Sequence, residues 1–213
     1  MEQTGIRDCS EELSDIQTEK LGRLNRVAAE IRKNMRCHLK DSAKNLVFGK
    51  GNPDADILFI GEAPGQKEDE QGVPFIGAAG KQLDRLLHSI GLSLQDVYIA
   101  NILKYRPPNN RNPLPDEIRR HTPYLVKQIS IIRPRVIATL GNFSTRFILA
   151  GCTVDSMNTI QGISTLHGRP QNVQIDGISC TVIPLYHPAA MLYRPQLREA
   201  LEKDFQTIHN IIV

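Results

Sequence analysis

The chain has 213 residues, of which 40% are hydrophobic and 23% are charged, a composition that suits one globular domain with a substantial core. Its net charge of +3 is compatible with an anionic partner but is also ordinary for a solvated surface. No apolar run approaches the ~20 residues of a membrane span, and four cysteines without a C-x-x-C pair or a secretory signal lead us to expect a cytoplasmic protein.

Hydrophobic spacing predicts helices and strands in alternation. Residues 1–11 are polar and unpatterned, so we expect a flexible N-terminal tail followed by a single domain over residues 12–213. Short apolar runs predict buried strands, and helical spacing of apolar residues predicts amphipathic helices. The predicted strands are 56–61, 97–101, 135–140 and one ending at 185, and the predicted helices are 14–33, 78–90, 118–132, 142–150 and 197–212.

Fourfold alternation of strand and helix is typical of an α/β fold. We therefore expect a three-layer α/β/α sandwich around a central four-stranded parallel sheet. Ligands of such sheets bind at the carboxyl ends of the strands. Glu62, Asn101 and His187 follow three of the predicted strands. A carboxylate, an amide and an imidazole are thus expected to meet in one cleft.

A glycine-rich segment from Gly61 to Gly80 joins the first predicted strand to the next helix. Its five glycines are typical of a loop whose backbone comes close to a ligand or to another chain. The segment contains neither the phosphate-binding nor the dinucleotide-binding glycine pattern. The alternative is a structural turn in which Glu62 is simply exposed.

Two side chains near this segment have competing interpretations. Phe75 lies inside the glycine-rich loop of a chain with 5% aromatic residues, and its ring either stacks on a planar base or anchors the loop to the core. Asn101 either satisfies a turn at the end of a strand or reads the edge of a base, because an amide both accepts and donates hydrogen bonds.

His187 lies immediately before a proline, which favours an extended backbone at the histidine. A lone histidine is more often a packed or surface residue than a catalyst. The apolar tip Met191-Leu192-Tyr193 that follows, flanked by Arg194, is typical of a wedge inserted between base steps. This segment is therefore a candidate DNA-binding loop.

Three motifs carry a family resemblance. Gly61 to Gly80 fills every fixed position of the pattern G-E-[AG]-P-G-x-x-E-D-x-x-G-x-P-F-x-G-x-A-G. Ala100 to Pro108 reads A-N-I-L-K-Y-R-P-P, and a histidine-proline motif begins at His187. From about residue 30 onwards, the chain resembles the family-4 uracil-DNA glycosylases. The resemblance implies a monofunctional repair enzyme that flips uracil out of DNA and hydrolyses its N-glycosidic bond.

The resemblance also implies roles for individual residues. Glu62 positions the attacking water, Phe75 stacks on the flipped uracil, Asn101 reads its edge, and His187 donates to uracil O2. The backbone from Gly61 to Ala63 completes the uracil pocket. The expected DNA-binding loop comprises Pro188, Ala189, Met191, Leu192 and Arg194. Uracil-containing DNA is the expected partner, and we expect the protein to be a monomer.

One departure from the family concerns its usual iron-sulfur cluster. Relatives carry four cysteines that bind a [4Fe-4S] cluster, and the corresponding positions here hold Asn34, Cys37, Tyr105 and His121. Cluster binding needs about four soft ligands. We therefore expect no cluster, no metal and no other cofactor.

Other functions remain alternatives at this level. A related branch of the superfamily cross-links itself to uracil-DNA through a histidine in an arginine-rich loop, which Arg119-Arg120-His121 superficially resembles. A non-catalytic damage-binding protein of the same fold would be expected to lack Glu62 or His187. A nucleotide-metabolising enzyme is disfavoured because no phosphate-binding or metal-binding motif is found.

Overall fold

The computed structural model describes residues 9–212, with side chains from residue 15. Its strands are β1 Lys50–Gly51, β2 Ile57–Gly61, β3 Val97–Asn101, β4 Val136–Leu140, β5 Gln171–Ile175 and β6 Ile178–Leu185. Its α-helices are α1 Cys9–Asn34, α2 His38–Ser42, α3 Gln66–Gln71, α4 Ala78–Ser89, α5 Pro115–Ile132, α6 Asn142–Leu149, α7 Ile163–Leu166, α8 Ala190–Tyr193 and α9 Leu197–Ile212. None of the described helices has both the length and the apolar character needed to cross a membrane.

The strands form one mixed sheet in the order β1-β3-β2-β4-β6-β5. The four central strands are parallel, as predicted, and β1 and β5 add antiparallel edges. The predicted central four-stranded parallel sheet is therefore confirmed, and the two edge strands are additions that were not predicted. Strand β1 has only two residues, and β5 buries only one of its five side chains, so neither contains the apolar run of a buried strand.

Helices cover both faces of the sheet. Alternate residues of β2 point to opposite sides: Leu58 and Ile60 pack with apolar residues of α1 and α5, whereas Ile57 and Phe59 pack with those of α4 and α9. The two clusters are the two halves of the core. This arrangement confirms the predicted three-layer α/β/α sandwich.

Three local predictions need correction. Residues 1–8 lie outside the described part of the chain, but residues 9–11 belong to α1, so the prediction of a tail through residue 11 is wrong there. The sequence Cys9-Ser10-Glu11 has no helical spacing of apolar residues, so hydrophobic periodicity does not predict a helix there. The glycine-rich segment is not one continuous loop because it contains α3. Residues 151–177, for which no helix or strand was predicted, contain the 3₁₀ helix Val154–Thr159, α7 and β5.

Candidate active site

A cavity of about 420 Å³ opens at the carboxyl ends of the parallel strands. It has the size of a small-molecule site. Five residues predicted for the uracil pocket or the DNA-binding loop come together here with His187. The cavity is lined by Glu62, Ala63, Pro64, Gly65, Glu68, Phe75, Ala79, Asn101, Pro107, Asn110, Arg111, His187 and Ala189.

Gly61 lies behind the cavity, where β2 and β3 end side by side. A Cβ atom at this position would collide with Asn101 Oδ1 and lie 2.8 Å from the Phe75 ring. A glycine is therefore needed for the close approach of these two side chains. Asn101 is 2% exposed, and its Oδ1 has no hydrogen-bond partner among the described residues. It can accept a hydrogen bond from a ligand.

Phe75 occupies a strained backbone conformation with φ of +50°. Such a left-handed conformation costs a non-glycine residue about 1–2 kcal/mol. Glu68 stabilises it, because one carboxylate oxygen accepts hydrogen bonds from the backbone N–H of Ile76 at 3.1 Å and of Gly77 at 2.9 Å. Lys50 donates to the Phe75 carbonyl at 3.0 Å. The ring stays 7% exposed and can both anchor the loop and line the cavity.

His187 follows β6 and stacks against Phe75 with ring centroids 5.8 Å apart. Its Nδ1 accepts a hydrogen bond from the backbone N–H of Ala189 at 3.2 Å. Burial lowers the pKa of His187 to about 4, so the ring is neutral near pH 7. Because Nδ1 is an acceptor, the single proton of the neutral ring resides on Nε2. His187 is thus a neutral Nε2–H donor.

Glu62 is the first residue after β2 and is half-buried at the cavity wall. Burial raises the pKa of its carboxyl above the ordinary value, which makes the carboxylate a better base. No protein group in the described residues donates a hydrogen bond to this carboxylate. Its backbone is fixed, since the Glu62 carbonyl accepts from Leu103 N–H at 3.0 Å. The carboxylate can therefore bind water.

Sequence reasoning missed Glu68, Lys50, Asn110 and Arg111. Glu68 is an invariant position of the first motif pattern, but its role depends on a hydrogen bond that its carboxylate accepts from the backbone of Ile76 in the same loop. Lys50 acts on Phe75 across 25 residues, which no local pattern reveals. Asn110 and Arg111 follow the A-N-I-L-K-Y-R-P-P motif and line the side of the cavity formed by the 107–111 loop.

The segment after His187 forms the short helix α8 at the rim. Pro188 is buried and Ala189 lines the cavity. Met191 packs against the core cluster that contains Phe59, whereas Leu192 is 42% and Tyr193 84% exposed. Arg194 is also exposed. The assignment of Met191 to an exposed wedge is therefore corrected: Leu192 and Tyr193 are the projecting side chains, because Met191 faces inward on the helical turn.

The positions that hold the cluster in relatives do not fit such a group here. Asn34 is exposed at the end of α1, and Cys37, Tyr105 and His121 are buried. The rings of Tyr105 and His121 lie edge to face with centroids 6.3 Å apart, and His121 Nδ1 donates to the Glu117 carbonyl at 2.7 Å. One thiol cannot supply the four soft ligands that a cluster needs. Among the side chains that the structure describes, over residues 15–212, no three of the His, Cys, Asp or Glu type gather at one point as metal ligands would.

Comparisons with known proteins show the family of the chain. Residues 48–208 match the family model described as the uracil DNA glycosylase superfamily. A type-4 uracil-DNA glycosylase of Archaeoglobus fulgidus is 48% identical over 185 residues, which cover 87% of this chain and 91% of that protein. The chain belongs to the type-4 uracil-DNA glycosylases. The resemblance inferred from the three motifs is thus confirmed.

Two further type-4 uracil-DNA glycosylases give the same assignment. The protein of Saccharolobus solfataricus is 46% identical, with 87% of this chain and 84% of the relative covered. The protein of Thermotoga maritima is 38% identical, with 87% and 93% covered. The similarity therefore extends over most of the length of these family members.

Proposed function

We propose that the chain hydrolyses the N-glycosidic bond of uracil in DNA, releasing free uracil and leaving an abasic site. The observation that carries the proposal is the convergence of Glu62, Asn101 and His187 on one cavity at the carboxyl ends of the strands. Membership of the type-4 family supports it. The reaction needs no bond to a protein atom, so the enzyme is monofunctional.

Asn101 and Phe75 select and hold the base. Uracil presents an N3–H donor next to the O4 acceptor, so Asn101 Oδ1 accepts from N3 while its amide nitrogen donates to O4. Cytosine presents the opposite pattern at these two atoms. The Phe75 ring stacks on the base, an interaction of roughly 1–3 kcal/mol. The unpartnered Oδ1 supports this role because the base supplies its missing donor.

Glu62 and His187 carry the chemical step. As the bond between the sugar C1′ and uracil N1 breaks, its electron pair goes to the base, and the negative charge on O2 accepts a hydrogen bond from His187 Nε2–H. A water held by the Glu62 carboxylate bonds to C1′ and gives a proton to that carboxylate. The negative carboxylate also stabilises the positive charge that develops on the sugar.

The rim of the cavity binds the DNA around the extruded nucleotide. Base flipping costs a few kcal/mol of stacking and pairing. Pro188 and Ala189 shape the wall, while Leu192 and Tyr193 project and fill the space that uracil leaves in the stack. Arg194 is exposed beside them and neutralises a phosphate.

We also propose that the enzyme acts without a cofactor, that it is a monomer and that it is located in the cytoplasm. The close packing of the Tyr105 and His121 rings at two former ligand positions supports a fold that does not need the cluster. Every residue assigned a role in base recognition or chemistry comes from this one chain. Cys37, Cys152 and Cys180 are free thiols, as in proteins of a reducing compartment.

The test is a gel assay on oligonucleotides that contain uracil opposite guanine, opposite adenine or unpaired. We expect strand scission after alkali treatment with the wild-type protein and little with Glu62→Ala or His187→Ala. A stable protein–DNA adduct on a denaturing gel would instead favour the cross-linking branch. His121 argues against that branch because it is 0% exposed and does not line the cavity.

A further inference from the structure

Lys104 is a charged residue buried completely inside the sheet-and-helix core, with 0% exposure. Its ammonium donates to the Asn101 backbone carbonyl at 2.7 Å and to Gln128 Oε1. It lies 5.9 Å from the centre of the Phe48 ring. No described carboxylate forms an ion pair with it. The main-chain partner belongs to the residue that we assign to uracil recognition.

Stability alone gives no reason to keep an ammonium here. Burial without a counter-ion is unfavourable, and it lowers the pKa of Lys104 to about 7. An apolar side chain of similar volume often replaces a buried charge without loss of stability. By contrast, the buried carboxylates of Asp69, Glu117 and Asp204 all accept hydrogen bonds from N–H donors. The contact that distinguishes Lys104 is the one to Asn101.

This contact holds one peptide group from both sides. The carbonyl of the Asn101–Ile102 peptide accepts from Lys104, and its N–H donates to the Gly61 carbonyl at 3.0 Å. The next N–H, of Leu103, donates to the Glu62 carbonyl at 3.0 Å. Since Asn101 Oδ1 has no protein partner, the backbone at this strand end is what directs the Asn101 side chain.

We propose that Lys104 is a positioning residue that fixes the Asn101 peptide at the end of β3 and thereby aims the Asn101 amide at the base. This inference rests on the proposed function for the identity of the base. Lys104 touches neither the base nor the water and acts only through Asn101. Its removal therefore slows uracil excision and weakens discrimination against cytosine, while the affinity for DNA stays nearly constant.

The experiment compares Lys104→Met with Gln128→Met, a matched variant that removes the other partner of the same ammonium. Single-turnover excision is measured on uracil and cytosine oligonucleotides, together with the thermal midpoint. A displacement of about 1 Å at a reacting group costs on the order of 100-fold in rate, so we expect Lys104→Met to lose about 10- to 100-fold. Gln128→Met should lower the thermal midpoint more and the rate by less than ~3-fold, because the bond to Asn101 remains.

A second readout follows Asn101 itself. The side-chain NH₂ resonances of Asn101, assigned through Asn101→Asp, should shift or broaden in Lys104→Met and stay in place in Gln128→Met. Unchanged resonances with a wild-type rate in Lys104→Met would overturn the inference. The inference would also be overturned if Lys104→Met and Gln128→Met lost rate equally and in proportion to the decrease of their thermal midpoints.

These outcomes separate the inference from the function on which it rests. A wild-type protein that releases no uracil from any substrate would overturn the proposed function, while the resonances would still decide whether Lys104 positions Asn101. A wild-type protein that releases uracil, with a Lys104→Met variant equal to it, would overturn the positioning role alone. Should Lys104→Met fail to fold, Lys104→Arg takes its place: its longer side chain keeps the charge but displaces the contact, and a wild-type rate would then contradict the inference.

Discussion

The tautomer of His187 provides the sharpest test of the chemistry. Because Nδ1 accepts from the Ala189 N–H at 3.2 Å, only Nε2–H remains as a donor to the cavity. Removing one donor to a developing oxyanion costs about 2.7–4 kcal/mol, or roughly 100- to 1,000-fold in rate. We expect this loss for His187→Ala in single-turnover excision. It should be equal for unpaired and paired uracil, since the donor acts after the base has left the stack.

Two amide substitutions distinguish the ring nitrogens. Glutamine extends an N–H donor towards the position of Nε2, so His187→Gln should recover part of the rate. Asparagine reaches only the position of Nδ1 and can satisfy the Ala189 N–H, so His187→Asn should be as slow as His187→Ala. Equal activity of the Asn and Gln variants would refute the assignment of Nε2 as the donor.

The pH profile tests the neutral state of the same ring. With a pKa of about 4, His187 is mostly uncharged from pH 5 upwards, and its donor should not titrate between pH 5 and 8. Glu62 must be ionised to act as the base, so the rate should fall as the pH drops through its raised pKa. A rate that instead declined as the pH rose from 5 to 8 would indicate that the imidazolium is the active form.

Further predictions concern the base, the rim and the cofactor. Asn101→Asp should weaken excision of uracil and discrimination against cytosine, because a carboxylate only accepts; equal selectivity in a cytosine-excision assay would contradict the assignment. Alanine at both Leu192 and Tyr193 should slow excision of uracil paired with adenine most and unpaired uracil least, with Met191→Ala as the control; equal losses on both substrates would indicate ordinary packing. The purified protein should be colourless and iron-free while releasing uracil, and stoichiometric iron would contradict the packing of Tyr105 against His121.

The sequence predicted the central sheet and the site because both depend on local patterns. The four apolar runs end within a residue or so of β2, β3, β4 and β6. The carboxyl ends of parallel strands share one edge, so Glu62, Asn101 and His187 had to lie near one another. The edge strands were missed because neither has an apolar run: β1 has two residues, and β5 has one buried side chain among its five.

Other features of the site depend on contacts between distant segments. The backbone strain of Phe75 persists because Glu68 and Lys50 over-determine the loop. The proton position on His187 depends on the Ala189 amide, which turns back as the chain enters α8. Such contacts exist only in the folded protein and produce no periodic pattern in the sequence. A motif can therefore identify Phe75 and His187 as site residues, but it does not predict the backbone conformation of the first or the proton position on the second.

The wall of the cavity formed by residues 107–111 is held in place by the buried carboxylate of Glu117. Arg111 lines the cavity and donates to both carboxylate oxygens of Glu117, at 2.5 and 2.9 Å. Glu117 also accepts from Leu114 N–H at 2.8 Å and lies 2.7 Å from His38 Nε2, which joins α5 to α2. Burial opposes ionisation of Glu117, but its donors outweigh that effect and lower its pKa.

This carboxylate is only 1% exposed, so the hydrogen bonds that it accepts are stronger than those of a surface pair. It joins the loop that lines the cavity to α2 and α5. Cys37, just before α2, and His121, within α5, are two of the positions that hold cluster cysteines in relatives. The Tyr105 and His121 rings meet edge to face between the same elements, with centroids 6.3 Å apart. The contacts of Glu117 and of the Tyr105 and His121 rings therefore join the segments at which relatives carry cluster cysteines.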